Sequence, residues 1–187
     1  MKKLLYIGQC INSTSSGADH VNKRNQQLLE GIFKKQITYI SPSTFGFVDK
    51  LTLGINNRVI NAVKYELERG DYSHVFIAQS LLGRIAEFVK LNFPLLEVIT
   101  FFHNIELQYA QEYLKTKGLR AIPFYLTVKY WEQKCCKYSD KFITLNKRDS
   151  KLLKQIYGKD SSLELPTSFD DVFNEERALK SIENKGM

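Results

Sequence analysis

The sequence predicts an α/β fold, a three-layer αβα sandwich built around a mainly parallel sheet. Short apolar runs alternate with amphipathic helical segments along the chain, which is the pattern of repeated βαβ units. The first run, "KKLLYIG", is continuously apolar, as expected of a parallel strand that is covered on both faces. With 187 residues and 43% hydrophobic content, the chain is long enough to bury one core, so we expect one domain.

Six strands can be placed from these runs: "KKLLYIG", "QITYIS", "SHVFIAQ", "EVITFF", "KFITLN" and "SLELP". The first helix is expected from about Ala18 to Phe33. Its predicted inner side carries Val21, Leu28, Leu29, Ile32 and Phe33. Further helices are expected over Asn56–Arg69, closed by Gly70, over Gly83–Asn92, from about Glu106 onward, and over "KRDSKLLKQIYG".

The sequence predicts a basic amphipathic helix that begins after Pro123. Between Lys115 and Lys137 there are six basic residues and one acid, Glu132, so this segment has a net charge of +5 within a chain of net charge +7. Its apolar residues recur at helical spacing, namely Phe124, Val128, Trp131, Cys135 and Tyr138. One interpretation is a core-facing stripe with a solvated basic back. Another is a basic face that rests on anionic lipid headgroups.

The composition excludes several classes of protein. No 18-residue apolar span and no signal-peptide pattern is present, so we expect a cytoplasmic protein. The three cysteines, Cys10, Cys135 and Cys136, have neither disulfide-framework nor zinc spacing, and we expect reduced thiols and no metal site. Nucleic acid is not an expected partner, because the charge is not accompanied by a recognised nucleic-acid-binding motif.

The candidate site follows the fourth strand, where five apolar residues run into His103, Asn104 and Glu106. Binding groups of open parallel sheets gather beyond the carboxyl ends of the strands, so these three residues are the first candidates. Two structural alternatives stay open. His103 could be satisfied by backbone carbonyls, and Glu106 could be a carboxylate favoured by a helix N-terminus. His20 and His74 have no partner that can be identified from the sequence.

The loop after the first strand, "GQCINSTSSGAD", should lie on the same edge. Ser16 and Gly17 stand just before the first helix, where backbone N–H groups can approach an anion. The alternative is an ordinary capping loop in which Ser16 or Asp19 caps the helix. The loop contains neither a G-x-G-x-x-G nor a P-loop pattern, which disfavours a dinucleotide-binding protein and a P-loop ATPase.

Several segments, in order, resemble the N-terminal domain of family-4-like GT-B glycosyltransferases. They are the first strand with its small-residue loop, the helix with Arg24 and Leu28, "YSHVFIAQS", "FFHNIE", "DKFITLNKRDSKLLKQIYG" and "LELPTSFDD". The resemblance covers roughly residues 1–173. It departs from the family in the first loop, where only one glycine of a pair is present, and at Pro166–Asp170, where the turn lacks its glycine.

The resemblance implies a Rossmann-like domain that forms one half of a GT-B enzyme and holds mainly the acceptor. Residues 1–173 would be this domain, and residues 174–187 a charged helix or linker toward a donor-binding domain. His103 would be the catalytic residue in the cleft, with Ser16, Gly17, Asn104 and Glu106 beside it. The implied reaction transfers a sugar from a nucleotide-sugar donor, with retention, in polysaccharide or glycan synthesis.

The resemblance also implies the partners. They are the nucleotide-sugar donor, which is a substrate rather than a cofactor, and a saccharide or lipid-linked acceptor. The basic helix indicates a further partner, an anionic surface at the inner face of the plasma membrane. A hydrolase with paired carboxylates is not supported by the positions of the acids. The alternative function from a different class is a binding module with the same sheet and no catalysis.

Overall fold

The computed structural model describes residues 3–9, 17–34, 36–42 and 55–166. These residues form six strands: β1 (Lys3–Ile7), β2 (Ile37–Ile40), β3 (Tyr72–Ile77), β4 (Glu97–Phe102), β5 (Lys141–Thr144) and β6 (Leu163–Glu164). The helices are α1 (Gly17–Phe33), α2 (Asn57–Arg69), α3 (Gly83–Asn92), α4 (Glu106–Lys117), α5 (Ile122–Tyr138) and α6 (Lys147–Tyr157), with a 3₁₀ turn at Gly118–Ala121 between α4 and α5. Every strand and helix that the periodicity predicted in this part of the chain is present.

The six strands form one sheet in the order β2-β1-β3-β4-β5-β6, and every neighbouring pair is parallel. The predicted Rossmann-like α/β architecture is therefore confirmed. The chain leaves β1 toward one side of the sheet and then returns to β3 on the other side. This reversal creates a crevice between the carboxyl ends of β1 and β3, which is where open parallel sheets bind their ligands.

The two faces of the sheet are covered unequally. Helices α2, α3 and α5 pack on one face around Leu5, Ile7, Val75 and Ile77, and α6 extends that layer beside Phe102 and Phe142. Among the described residues, α1 is the helix that packs on the other face, against Leu4, Tyr6 and Phe76. The right-handed crossover rule explains the imbalance, because α1 connects β1 to β2 in the direction opposite to all later connections.

Helices α3 and α5 approach each other very closely at Gly83. A Cβ atom at this position would lie 2.0 Å from the backbone oxygen of Trp131 and 2.9 Å from the backbone nitrogen of Cys135. The absence of a side chain at Gly83 therefore sets the distance between the two helices. It also places the loop that ends β3 directly against α5.

Two predicted core stripes differ from the structure. Leu28 and Ile32 of α1 are 47% and 71% exposed, although helical spacing placed them on the inner side. Their inward positions are taken by polar residues, because Asn22, Asn25 and Gln26 are buried instead. In α5, Val128 and Cys135 are buried as predicted, but Phe124 is exposed. Its ring contacts the surface rings of Tyr109 and Tyr113 in α4 edge-on.

The helix ends follow known capping rules. The side chain of Asn56 caps α2 by accepting hydrogen bonds from the backbone N–H groups of Arg58 and Val59. Asn146 caps α6 in the same way through Asp149, and Gly158 ends α6 in the left-handed conformation. The predicted linker at residues 174–187 and the predicted domain limit at 173 lie outside the described residues.

Candidate functional site

A polar cavity lies at the carboxyl edge of the sheet, at the crevice between β1 and β3. Its volume is about 210 Å³, room for about seven water molecules at roughly 30 Å³ each. Four segments meet here: the start of α1, the loop after β3, the loop after β4 and the start of α4. The lining residues are Ala18, Gln79, Ser80, Leu81, His103, Asn104 and Glu106.

Three of the predicted site residues are brought together in this cavity: His103, Asn104 and Glu106. Gly17 is the exposed first residue of α1, next to the lining residue Ala18, and no atom of the described residues lies within 4 Å of the position that its Cβ would take. Ser16 lies outside the described residues. Asp19, the alternative cap, stands inside the first turn of α1 rather than at the cap position.

The imidazole of His103 is held from two sides. Its Nε2 atom lies 3.0 Å from Oδ1 of Asn22 in α1, and its ring packs edge-on against Phe101 with 4.9 Å between the centroids. Burial lowers the pKa of His103 to about 4, and the charge of Arg24 lowers it further, although a hydrogen bond to the backbone of Ala78 opposes the shift. The ring is therefore neutral at physiological pH and can serve as a hydrogen-bonding group.

The buried polar side of α1 joins the helix to the ends of the strands. Besides Asn22, it includes Gln26, whose Nε2 donates to the backbone oxygen of Gln9 at 2.7 Å, just after β1. Gly8 directly precedes Gln9, and a Cβ atom at Gly8 would come within 2.4 Å of the Cβ of Ala78. The ends of β1 and β3 can approach this closely because position 8 has no side chain.

Glu132 of α5 is the fully buried acid behind the cavity. Its Oε1 accepts hydrogen bonds from Ser80 Oγ and the backbone N–H of Glu106, both at 2.9 Å. Its Oε2 accepts from the backbone N–H of Leu107 at 2.9 Å and from Tyr157 Oη at 2.7 Å. Helix α4 has no side-chain cap at its own N-cap residue, so a carboxylate from another helix satisfies its first N–H groups.

The carboxyl group of Glu106 lines the cavity and lies close to the buried acid Glu132. Burial raises its pKa and the nearby charge of Glu132 raises it further, whereas a hydrogen bond from Asn104 lowers it. The resemblance placed Asn104 and Glu106 beside His103 on one loop. In the structure Asn104 follows His103 in the loop, whereas Glu106 is the first residue of α4. The prediction that Glu106 benefits from a helix N-terminus is also compatible, since it occupies the first turn of α4.

A second cavity of about 300 Å³ continues along the same edge and shares Asn104 with the first. Arg148 Nη2 donates to Gln108 Oε1 across it at 3.0 Å. Amide, guanidinium, carboxylate and phenol groups all face this space. The lining residues are Asn104, Ile105, Gln108, Tyr109, Glu112, Arg148 and Asp149.

The other two histidines are not in the cavity. His74 lies at the amino edge of the sheet, where Nδ1 is 2.7 Å from Ser73 Oγ and Nε2 is 3.1 Å from a carboxylate oxygen of Glu97. His20 is an exposed residue of α1. The described part of the chain contains no group of three or more His, Cys, Asp or Glu side chains that could hold a metal ion.

Sequence reasoning missed Asn22, Ser80 and Glu132. Asn22, Asn25 and Gln26 recur at i, i+3 and i+4, which is the spacing of an inward helix face, so their pattern contained a usable signal. Glu132 lies four residues after Val128 and three before Cys135, within a predicted buried stripe. A carboxylate at such a position must find several donors, and that requirement could have identified it.

Buried thiols complete this region. Cys135 and Cys136 are free and buried in α5, as expected of reduced cysteines, while Cys10 lies outside the described residues. Burial raises the pKa of Cys135 to about 12 and also raises that of Cys136. Because the thiolate is the reactive form, neither group is an available nucleophile at neutral pH.

Comparisons with known proteins do not assign the chain to a family. No protein-family model matches it, and no curated protein sequence is similar to it. It resembles the structure of the Candida albicans trehalose-6-phosphate phosphatase N-terminal domain, with a TM-score of 0.47 and 11% identity over 98% of this chain. The match covers 54% of that structure, so the chain spans about half its length.

We predict that replacing Glu132 with Gln destabilises the protein by about 2–4 kcal/mol. In either orientation the new amide would direct its NH₂ group at the backbone N–H of Glu106 or Leu107, neither of which can accept a hydrogen bond. Tyr157→Phe is the matched control, because it removes one of the four donors and should cost about 1 kcal/mol. Urea unfolding measures both values. A Glu132→Gln variant as stable as the wild type would contradict the assignment.

We predict that His103 titrates near its lowered pKa of about 4 rather than near the usual 6.5. Proton-detected NMR of the imidazole measures this, with His103→Gln used to assign the signal. Asn22→Asp places a carboxylate beside Nε2 and should raise the pKa of His103 by at least about one unit, whereas Asn22→Ala should not. A wild-type signal that titrates near 6.5 would contradict the burial of the ring.

The lowered pKa of His103 also determines the direction of a pH effect on stability. The unfolded ring binds a proton near pH 6.5, whereas the folded ring resists protonation until about pH 4. The contribution of His103 to stability is therefore complete above about pH 6.5 and is lost as the pH falls toward 4.

Proposed function

We propose that the chain is the acceptor-side domain of a GT-B glycosyltransferase that transfers a sugar from a nucleotide-sugar donor with retention. The observation that carries this proposal is the polar cavity at the β1–β3 crevice, with the neutral imidazole of His103 at its wall. Open parallel sheets bind their ligands at this place, and the sequence resemblance assigns the histidine to the same place.

The groups around the cavity suit the recognition of a sugar. The amide of Asn104 and the carboxyl group of Glu106 can donate and accept hydrogen bonds with hydroxyl groups. In this proposal, His103 contacts the transferred sugar and stabilises the charge that develops on it. Asn22 positions the ring through its hydrogen bond and does not itself contact the substrate.

The start of α1 suits the phosphates of the donor. The first N–H groups of a helix carry partial positive charge, and anions are stabilised in front of them. Ala18 in the first turn lines the cavity, and Gly17 before it is exposed. The donor itself would be held by a second domain, across the cleft, as the resemblance implies.

The second cavity suits the acceptor. It adjoins the first through Asn104 and offers planar polar groups together with the ring of Tyr109, which is 58% exposed. Saccharides present both hydroxyl groups and apolar ring faces, so polar groups beside an aromatic ring can hold them. A saccharide or lipid-linked acceptor bound here would direct its hydroxyl toward the first cavity.

The transferase proposal predicts that His103→Ala lowers turnover at least about tenfold, as expected on removing one positioned electrostatic group. The assay uses the full-length gene product with a panel of UDP-, GDP- and ADP-sugars and measures the released nucleoside diphosphate. His74→Gln is the matched control, because His74 lies at the opposite edge of the sheet. Unchanged turnover in His103→Ala would contradict the role of this residue. If no donor is consumed, the binding-module alternative is favoured.

We further propose that the helix pair α4–α5 docks on an anionic membrane surface at the cytoplasmic side. The described residues contain no helix that is long and apolar enough to span a membrane. The surface of α4, the 3₁₀ turn and α5 carries a group of exposed apolar side chains. They are Tyr109, Tyr113, Leu119, Ile122, Phe124, Leu126 and Tyr130.

Two features of this helix-pair surface support lipid binding. Ile122, Leu126 and Tyr130 recur at i, i+4 and i+8 on the side of α5 that faces away from the core. Lysine and arginine accompany them, because Lys117, Arg120 and Lys129 are exposed. Of the acids on these helices, Glu132 is buried and Glu112 is paired with Lys115. Apolar side chains at the level of the headgroups, flanked by basic residues, characterise helices that lie in the membrane interface.

The membrane proposal predicts co-sedimentation with vesicles that contain phosphatidylglycerol and not with pure phosphatidylcholine. The double variant Lys117→Glu/Arg120→Glu should weaken binding by about tenfold or more, because each basic residue near the surface contributes about 1 kcal/mol. Arg58→Glu/Lys64→Glu on α2 changes the net charge equally and should bind as the wild type does.

Leu119→Asp separates the apolar contribution from the charge. Leu119 is 81% exposed at the turn between the helices, so its replacement should leave the fold intact and weaken vesicle binding. Equal binding to both kinds of vesicle, or binding to neither, would contradict the membrane proposal and leave the transferase proposal to its own assay.

A further inference from the structure

An apolar groove runs along α1 on the less covered face of the sheet. Its volume is about 320 Å³, and it is bounded by α1 on one side and by strands β3 to β6 below. The side chains of Leu28, Ile32 and Leu163 border it and are 47%, 71% and 50% exposed. The lining residues are Asn25, Leu28, Leu29, Ile32, Phe76, Phe101, Ile143, Leu163 and Leu165.

The topology explains why the groove exists. Six parallel strands are about 24 Å wide at roughly 4.8 Å per strand, whereas one helix is about 10 Å wide. Helix α1 alone therefore covers less than half of its face. The part that it leaves open lies over β4, β5 and β6, and the described residues place no second helix there.

Asn25 of α1 lies beside the same groove. It is 2% exposed, and its Oδ1 accepts hydrogen bonds from Nε and Nη2 of Arg24. Its Nδ2 is buried and has no hydrogen-bond partner among the described residues. The surface of the groove itself is formed by apolar atoms, so an occupant of the groove must be apolar where it contacts α1 and the sheet.

We propose that the segment 167–182 of this same chain docks in the groove and forms the missing layer beside α1. The chain reaches the groove directly, since Leu165 lines it and the carbonyl oxygen of Pro166 accepts a hydrogen bond from Arg24 Nη1. Arg24 Nη2 donates to the carbonyl oxygen of Leu165 at 3.3 Å. Helix α1 thus binds the chain at the point from which the segment begins.

The sequence of the segment fits the groove. Phe169, Val172 and Phe173 recur at i, i+3 and i+4, the spacing of one side of a helix. Leu179 and Ile182 follow later in the segment and add further apolar side chains. Sixteen helical residues span about 24 Å, more than the roughly 10 Å of α1 between Asn25 and Ile32.

Residues 43–54, the other long segment outside the described residues, are a poorer occupant. This segment follows β2, which lies at the far edge of the sheet on the other side of α1. Glu30 on that side accepts a hydrogen bond from Tyr39 of β2 at 2.8 Å. Helix α1 therefore stands between the start of that segment and the groove.

Cross-linking with an amine-reactive reagent tests the proposal on the unmodified chain. A helix that runs from Pro166 beside α1 brings Lys180 close to Lys34, so we expect a Lys34–Lys180 product. Lys64 of α2 lies on the opposite face and serves as the internal control, with no expected product to Lys180. An equal mixture of ¹⁴N- and ¹⁵N-labelled protein distinguishes links within one chain from links between two copies.

Two variants are expected to reduce the yield of this product: Phe173→Asp in the segment and Leu28→Asp in the groove. Each should lower it by about tenfold or more, because burial of either side chain is worth more than the free energy of a tenfold change. Leu91→Asp on α3, where Leu91 is 65% exposed, is the matched control and should leave the yield unchanged.

Four results would overturn the proposal. The Lys34–Lys180 product could be absent from the wild type, or it could survive both variants. Lys180 could link equally to Lys64, which would show that the segment is not held on the α1 face. The product could also join only differently labelled chains, in which case a second copy covers the groove.

Discussion

The carboxylate of Glu132 is the interaction on which the candidate site depends. It is fully buried, and its four hydrogen bonds tie α5 to the loop after β3, to the first turn of α4 and to α6. An unpaired charge in this position would be strongly destabilising, so the four donors must stay in place together. The loop that carries His103 and Asn104 runs from β4 to the start of α4, so Glu132 holds the end of this loop.

Buried amide side chains of α1 also hold the loops at the carboxyl edge of the sheet. Asn22 holds the imidazole of His103, and Gln26 holds the backbone after β1. Buried polar networks cost stability when one member is unpaired, but they specify one arrangement when all members are paired. At the start of α1, buried amides thus occupy positions where apolar side chains would otherwise pack, and they fix the geometry of the crevice. A fixed geometry is useful at a place where a ligand binds.

The strands and helices could be predicted from the sequence because each has a strong periodic signal. Helix Gly83–Asn92 and strand Glu97–Phe102 were predicted with their observed limits. The edge of the sheet at which His103 lies also followed, because all parallel strands end at the same edge. Periodicity placed Val21, Leu29 and Phe33 of α1 on the sheet side correctly. It cannot show how far neighbouring elements cover that side, and this is why Leu28 and Ile32 were predicted to be buried but are exposed.

The site was less predictable than the fold for a physical reason. Asn22, Ser80 and Glu132 act through contacts between residues that are far apart in the chain, for example 52 residues between Ser80 and Glu132. Only the packing of α3 on α5 through Gly83 brings such residues together. His74 shows the same limit, since its partner Glu97 stands on the neighbouring strand and no local pattern connects the two.

Two apolar surfaces of the described structure remain uncovered. They differ in charge, so we expect different partners for them. The helix-pair surface on α4–α5 combines aromatic and aliphatic side chains with Lys117, Arg120 and Lys129, so a partner there must offer negative charge as well as apolar depth. The groove beside α1 is lined by apolar side chains and one amide, and the nearby Arg24 already binds two backbone carbonyls. Such a groove gives an anionic surface nothing to bind. It instead suits an apolar peptide face that begins where the chain already lies, and the partner of each surface can therefore be tested independently of the other.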